Sequence, residues 1–435
     1  MTLHLERSGN GRQPTVTLGD IFSRLFGPDA PVRFTAYDGS SAGRPDATLG
    51  LHLASPRGAS YLVTAPGSLG MARAYIQGDL EVSGVHPGDP YEALRIIDDE
   101  LRMQRPAAAE ALRWLQALGL RTLLPPGPPP QEVRATSKIG LRHGRARDAS
   151  AISHHYDVSN RFYEMVLGPS MTYTCACYTS EDATLEQAQA HKYDLVARKL
   201  GLKPGMRLLD VGCGWGGMVR HAAREYGVRT LGVTLSREQA TWAQARIERD
   251  GLGDLAEVRH LDYRDVRERD FDAVSSIGLI EHIGVKNYPS YFAFLRGKLR
   301  SGGRLLNHGI TRPDNEHAGL PRRGFIGRYV FPDGELTGSG DIVRAVEDCG
   351  LEVQHHENLR VHYARTLRGW SDNLVANWED CVAEAGLARA KVWGLYLSGS
   401  RLAFERNGIQ LHQVLATRTD EDGRSGYPLR HDFGV

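Results

Sequence analysis

The chain has 435 residues, 41% of them hydrophobic and 24% charged, the profile of an ordinary globular protein. At roughly 150 residues per domain, there is room for two or three domains, each able to bury its own core. Fifty-three basic residues against 52 acidic ones leave a net charge of +1, which excludes the basic surface of a dedicated nucleic-acid binder. Only seven of the basic residues are lysine. The arginine bias runs along the whole chain and reads as genome composition.

No apolar run approaches the roughly 18 residues of a membrane-spanning helix. Residues 1–30 carry acids and prolines but no apolar h-region, so no secretory leader is expected. The five cysteines (Cys175, Cys177, Cys213, Cys349 and Cys381) are odd in number and too sparse for a disulfide framework. That usage points to a reducing, cytoplasmic location. Any contact with lipid is expected from the surface.

In chain order, residues 1–122 mix strand-like runs at 32–37 and 49–53 with helical spacing over 92–103 and 108–118. They read as a small α+β domain with no motif attached to chemistry. A linker over 123–150 opens with Pro125-Pro126-Gly127-Pro128-Pro129-Pro130, where missing N–H donors favour an extended spacer. Arg134, Lys138, Arg142, Arg145 and Arg147 follow, with no acid from 133 to 147. This is either a solvated linker or a stretch attracted to anionic phosphates, at roughly 1 kcal/mol per basic residue near a charged membrane.

From residue 185 the pattern becomes a regular alternation. Thr184 and Gln187 predict a capping box opening a helix to Leu200. Strands are expected at 206–211, 228–235, 256–263, 271–279 and 303–310. Helices are expected up to Tyr226, over 237–249 behind a second capping box of Ser236 and Gln239, and over 288–299. Such alternation implies a parallel, doubly wound α/β sheet, whose ligands bind outside the carboxyl ends of the strands.

The most informative segment is Asp210-Val211-Gly212-Cys213-Gly214-Trp215-Gly216-Gly217. Gly212, Gly214 and Gly217 satisfy GxGxxG, so dinucleotide binding has to be weighed. That reading needs a carboxylate at the end of the next strand, and Gly232-Val233-Thr234-Leu235-Ser236 has none. An acid two residues before the first glycine instead resembles motif I of S-adenosylmethionine-dependent methyltransferases.

The flanking segments sharpen that resemblance. His155-Tyr156-Asp157-Val158-Ser159-Asn160, Met171-Thr172-Tyr173-Thr174-Cys175-Ala176, Gly232 to Gln239, Asp262-Tyr263-Arg264-Asp265, Glu281-His282-Ile283-Gly284 and Tyr329-Val330-Phe331-Pro332 occur in order between 152 and 416. Together they resemble the cyclopropane fatty acid synthase family, including its actinobacterial methylene-forming members. The resemblance implies a class I methyltransferase fold, Rossmann-like and doubly wound, over 151–420. A smaller α+β N-terminal domain would precede it, and a tail over 421–435 would follow.

It also implies methyl transfer from S-adenosylmethionine to the cis double bond of an unsaturated acyl chain on a membrane phospholipid. The resulting carbocation would lose a proton to a bound bicarbonate ion. Positions matching the bicarbonate ligands are Cys175, Glu281, His308, Ile310 and Tyr363. His308, Tyr363 and the backbone N–H groups of Cys175 and Ile310 can donate to an anion, whereas Glu281 would repel one unless a proton is shared. Each residue has a plainer reading. The CxC pair could bind metal but lacks a second Cys/His pair, and an alkene needs no thiolate nucleophile. His308 could be a satisfied buried histidine, Tyr363 a half-buried aromatic, and Glu281 an acid on a helix N-terminal turn.

For the cofactor, the resemblance points to Tyr173, Thr174, Asp210, Gly212, Gly214, Gly216, Thr234, Leu235, Ser236, Gln239, Asp262 and Tyr263. Tyr263 is either an adenine neighbour or a core aromatic. Two departures stand beside the ion site: a polar Asn307 where the common pattern has leucine, and Gly309, expected to be flexible. The stretch 311–328, with Arg312, Arg322, Arg323 and Arg328, reads as a basic loop over an acyl tunnel. Deprotonation decides between a cyclopropane and an exocyclic methylene, and the actinobacterial resemblance favours the methylene. A flavin-dependent reductase would then act on the product. The expected partners are a membrane phospholipid, that reductase and a second copy in a homodimer, with peripheral association at the inner face of the membrane. A methyltransferase on a soluble small molecule is the remaining alternative.

Overall fold

The computed structural model describes residues 16–133, 158–316 and 324–434. The basic residues Arg134 to Arg147, the segment His155-Tyr156-Asp157, and Arg322 and Arg323 lie outside the described residues. The chain forms two compact units, one of Met1–His86 with Glu92–Pro129, the other of Pro87–Tyr91 with Pro130–Val435.

The first unit is built on a four-stranded sheet in the order β2-β1-β3-β4. Its strands are β1 (Arg33–Ala36), β2 (Ser41–Gly43), β3 (Gly50–Leu53) and β4 (Leu80–Ser83), and only the β1–β3 pair is parallel. The helix Leu18–Phe26 opens with a capping box between Thr17 and Asp20. Its Phe22 stacks on Phe34 of β1 at 4.3 Å, which anchors the helix to the sheet. Leu51, Leu53 and Val32 complete that core. The expected helix at 92–103 stops at Asp99, and Gln104 N–H then donates to Leu25 O, turning the chain back onto the first helix. The helix Ala108–Leu118 forms where its spacing predicts. After Leu124 the proline run carries neither helix nor strand up to Val133.

The second unit holds a seven-stranded sheet in the order β10-β11-β9-β8-β5-β6-β7. Here β5 is Arg207–Val211, β6 Arg229–Thr234, β7 Ala256–His260, β8 Phe271–Ile277, β9 Leu299–Thr311, β10 Glu352–Asn358 and β11 Gln410–Thr417. The strands β5 to β9 pair in parallel, but β11 runs antiparallel to both β9 and β10. The sheet is therefore mixed rather than wholly parallel. Side-chain alternation sends Leu209, Val211, Val274 and Leu305 against the helices Tyr288–Lys298 and Ser339–Asp348. Leu208, Ala273, Leu306 and Leu415 pack on the opposite side against Leu185–Leu200 and Gly217–Tyr226. Helices cover both faces, which is why these strands are nearly continuously apolar.

The capping box of Thr184 and Gln187 forms as expected. The second one does not close. Ser236 Oγ accepts from Gln239 N–H, but the Gln239 side chain turns back to accept from Thr234 Oγ1 instead. Gly309, expected to be flexible, sits in the β9 ladder opposite His412. A Cβ there would fall 2.1 Å from Ile280 Cγ2. Glycine is needed at 309 for close approach, not for mobility.

Candidate active site

Strand order reverses between β5, which continues to β6 and β7, and β8, which continues to β9. The crevice at that switch point is where an open α/β sheet binds its ligand. Asp210 lies there, buried, and its Oδ1 accepts from Ser275 Oγ at 2.6 Å. Burial pushes its carboxyl up to about 6, against the pull of that hydroxyl and of Lys192. The glycine turn follows. The N–H groups of Gly212 and Cys213 both donate to Val233 O, at 2.9 and 3.0 Å, which ties the turn to β6. Gly212 has φ of +76°, and a Cβ there would press on Leu279 at 3.2 Å. Gly214 and Gly216 also take positive φ, and the intervening Trp215 is buried with its Nε1–H donated to Asn160.

At the end of β6, Thr234 Oγ1 donates to Gln239 Oε1 at 2.8 Å and accepts from Ser236 N–H. Gln239 Nε2 is left buried with no protein partner, a neutral donor where many nucleotide sites hold a carboxylate. Leu235 O is 3.1 Å from His260 Nε2. Asp262 pairs with the Arg264 guanidinium at 2.7 Å, and Tyr263 meets Tyr291 and Phe294 edge-on at 5.3 Å each. Tyr263 is therefore anchored to the core while partly exposed at the crevice. Thr174 O accepts from Gln189, and its Oγ1 accepts from Lys192 Nζ at 3.1 Å. Tyr173 belongs to an aromatic cluster, its ring centre 5.4 Å from Trp370, 5.7 Å from Trp393 and 6.5 Å from Tyr396.

The residues expected around an anion converge on the ends of β8, β9 and β11. Glu281 stands on the short helix Ile280–Ile283, directly after β8. Its Oε1 accepts the Ile310 N–H at 2.6 Å, and its Oε2 is shut off from solvent with no partner. Part of the residue reaches the surface, yet burial of the carboxyl pushes it up to about 7, and the Ile310 N–H only partly opposes this. In this structure the Ile310 N–H is committed to Glu281 rather than free for an ion. His308 is fully buried on β9; its Nδ1 is 3.1 Å from Gln413 Nε2, and its Nε2 has no partner. Burial, then the nearby Lys192 and Lys199, hold the imidazole well below its usual range and keep it neutral.

Cys175 is buried and uncharged; burial raises its thiol far up, and Sγ donates to Ala176 O at 3.1 Å. It also reaches Leu359 O at 3.8 Å, the carbonyl that receives the Tyr363 N–H at the start of the helix Arg360–Ala376. Leu359 N–H donates to Leu411 O, and Leu411 faces Ile310 across the β9–β11 ladder. Cys175, Tyr363, Ile310 and Glu281 are thus joined through a short run of contacts. The Tyr363 ring packs on Phe404 at 4.6 Å and Trp370 at 6.0 Å. Among the described residues no cluster of His, Cys, Asp or Glu could hold a metal ion.

Sequence reasoning missed Lys192, Lys199, Gln413 and the aromatic lining of Trp370, Trp393 and Tyr396. Lys192 and Lys199 are fully buried and Lys298 is 5% exposed. Burial lowers the Lys192 ammonium to about 8. The scarcity of lysine, seven among 53 basic residues, did not single them out, because Lys203 and Lys286 are exposed.

The model of the family described as mycolic acid cyclopropane synthetase matches residues 143–414. A probable fatty acid methyltransferase of Mycobacterium tuberculosis is 62% identical over 403 residues, covering 92% of this chain and 94% of that protein. The cyclopropane-fatty-acyl-phospholipid synthase of Escherichia coli is 36% identical over 269 residues, covering 62% of this chain and 68% of its own. Among solved structures, mycolic acid cyclopropane synthase CmaA1 complexed with SAH and CTAB superimposes with a TM-score of 0.58 at 33% identity, covering 62% of this chain and 97% of that one. Motifs, strand order and these matches agree: the chain belongs to the cyclopropane fatty acid synthase family of S-adenosylmethionine-dependent methyltransferases.

Proposed function

We propose that this protein methylates the cis double bond of an unsaturated acyl chain on a membrane phospholipid and forms a mid-chain methylene branch. One observation carries the reading. Glu281 Oε2 and His308 Nε2 are polar atoms shut off from water without protein partners, and Tyr363, Trp370 and Tyr173 form a connected aromatic cluster. An isolated alkene is a weak nucleophile, so its methylation needs a dry, aromatic site with a small ionic group at hand.

S-adenosylmethionine supplies the methyl group: the alkene π pair forms the new C–C bond, and the S–CH₃ pair returns to sulfur. The other alkene carbon becomes a carbocation. A 1,2-hydride shift followed by loss of a methyl proton gives the exocyclic methylene; direct loss from the methyl closes a cyclopropane. Either way the chain gains CH₂. Bound bicarbonate would supply the base that removes the proton. The residues present fit such an ion: neutral His308 and a Glu281 that is half protonated near neutrality both offer hydrogen to an anion. Asp210, the glycine turn, Thr234 and Gln239 would hold the methyl donor, with Tyr173 and Thr174 closing over it. The rings of Tyr173, Trp370 and Tyr363 exclude water and favour a nearby cation through their π faces.

One observation favours the methylene product over the ring. Asn307, next to His308, carries two buried polar atoms without partners where the common family pattern has leucine. A methylene product would suit a flavin-dependent reductase as the next enzyme.

Among the described residues no helix is long and apolar enough to cross a membrane. Peripheral binding is supported by exposed Met103, Leu112, Leu123 and Leu124, interleaved with exposed Arg102, Arg105, Arg113 and Arg121. The deciding experiment is incubation with S-adenosylmethionine and unsaturated phospholipid vesicles, then mass and NMR analysis of the acyl chains. A gain of CH₂ with vinylidene signals supports the proposal, and ring signals move the product to cyclopropane. No gain with any unsaturated lipid sinks it.

A further inference from the structure

Three fully buried side chains form a line behind the site: Lys199 of the helix Leu185–Leu200, Gln413 of β11 and His308 of β9. Lys199 Nζ is 2.6 Å from Gln413 Oε1 and also donates to the Glu357 carboxylate, which favours the charged ammonium against the burial that lowers it. Gln413 Nε2 is 3.1 Å from His308 Nδ1, and the two residues face each other across the β9–β11 ladder.

We infer that Lys199 and Gln413 are positioning residues that lock His308 in its Nε2–H tautomer. An ammonium has donors and no acceptor, so the Gln413 atom facing Lys199 must be the carbonyl oxygen. That places the amide nitrogen, which only donates, against His308 Nδ1. Nδ1 must then accept, and in a neutral ring the proton sits on Nε2. An imidazolium would set N–H against N–H, so the relay also excludes the charged form. Burial works in the same direction.

The consequence is a histidine whose free edge is a hydrogen donor and cannot serve as a base. Toward an anion this is the useful edge; toward a carbocation it withholds a competing proton acceptor. That role deepens the methyl-transfer reading and rests on it, whereas the tautomer itself does not. In hydrolytic triads, leaving a histidine in the wrong tautomer costs on the order of 10⁴ in kcat.

The test is ¹⁵N NMR of the full chain labelled at its histidine rings, with His308 assigned by comparison with His308→Ala. The wild type is expected to show an unprotonated Nδ1 and a protonated Nε2 throughout the neutral range. Gln413→Glu keeps a partner for Lys199 but turns the group facing the ring into an acceptor, so the proton should move to Nδ1. In that variant kcat should fall about 100-fold or more while S-adenosylhomocysteine affinity holds. Lys199→Met should leave the amide free to rotate and give mixed tautomers. A wild-type Nδ1–H signature, needing no variant at all, overturns the relay, as does Gln413→Glu leaving Nδ1 unprotonated. A wild type with the expected spectrum but no activity on any unsaturated lipid would instead overturn the proposed reaction and leave the relay standing.

Discussion

The backbone N–H of Ile310 donates to Oε1 of Glu281 at 2.6 Å, joining the end of β9 to the short helix that follows β8. This bond stabilises the ionised carboxylate, yet burial outweighs it and the group rests near 7. Near neutrality Glu281 is therefore poised between an acid and a base. Its second oxygen is buried with no hydrogen-bond partner.

Glu281→Gln should abolish turnover while S-adenosylhomocysteine affinity, measured by calorimetry, stays within about twofold. Retained lipid methylation would remove Glu281 from the mechanism.

The same variant should alter the pH dependence of stability. Folding raises the Glu281 carboxyl from its ordinary 4.5 to about 7. Between those values the unfolded chain has released the proton and the folded chain has not, so stability falls as pH rises, by at most about 3 kcal/mol. This contribution is complete below 4.5 and gone above 7. Thermal melts of wild type and Glu281→Gln should diverge across that window, the wild type losing more. Parallel curves would show that the carboxyl is not shifted.

Gly309→Ala should destabilise the fold by about 1–3 kcal/mol, because the new methyl collides with Ile280 Cγ2. Ile280→Leu removes that branch and should recover part of the loss in urea titrations. No recovery in the double variant would place the strain elsewhere.

Lys192→Met should fold normally, since an apolar chain of similar length replaces a buried ammonium. It removes the donor that orients Thr174, and S-adenosylhomocysteine binding should weaken about tenfold. Lys192→Arg should be the less stable variant, having no space for a guanidinium. Unchanged affinity in Lys192→Met would separate Thr174 from the cofactor site.

Charge reversal at Arg142, Arg145 and Arg147 should weaken binding to anionic vesicles by at least 100-fold, at roughly 1 kcal/mol per residue. Wild-type binding should fall with added salt. If cosedimentation is indifferent to both, that stretch is a plain linker.

The sequence by itself determined the alternation of strands and helices from 185 to 311, the glycine turn and the family. All of these rest on local periodicity or on residues whose chemistry is tied to contiguous motifs. The reversed course of β11 between β9 and β10 was not legible, because pairing direction is settled by where the helices between 360 and 405 return the chain. Gly309 was misread as flexible because its constraint is Ile280, 29 residues away, and only packing brings the two together. The Ser236 box stayed open because Gln239 found Thr234 closer to hand. Lys199, Gln413 and His308 come from three elements, and no spacing along the chain links them. Tertiary structure alone placed them in line, where the low dielectric makes each partner decide the next one's proton.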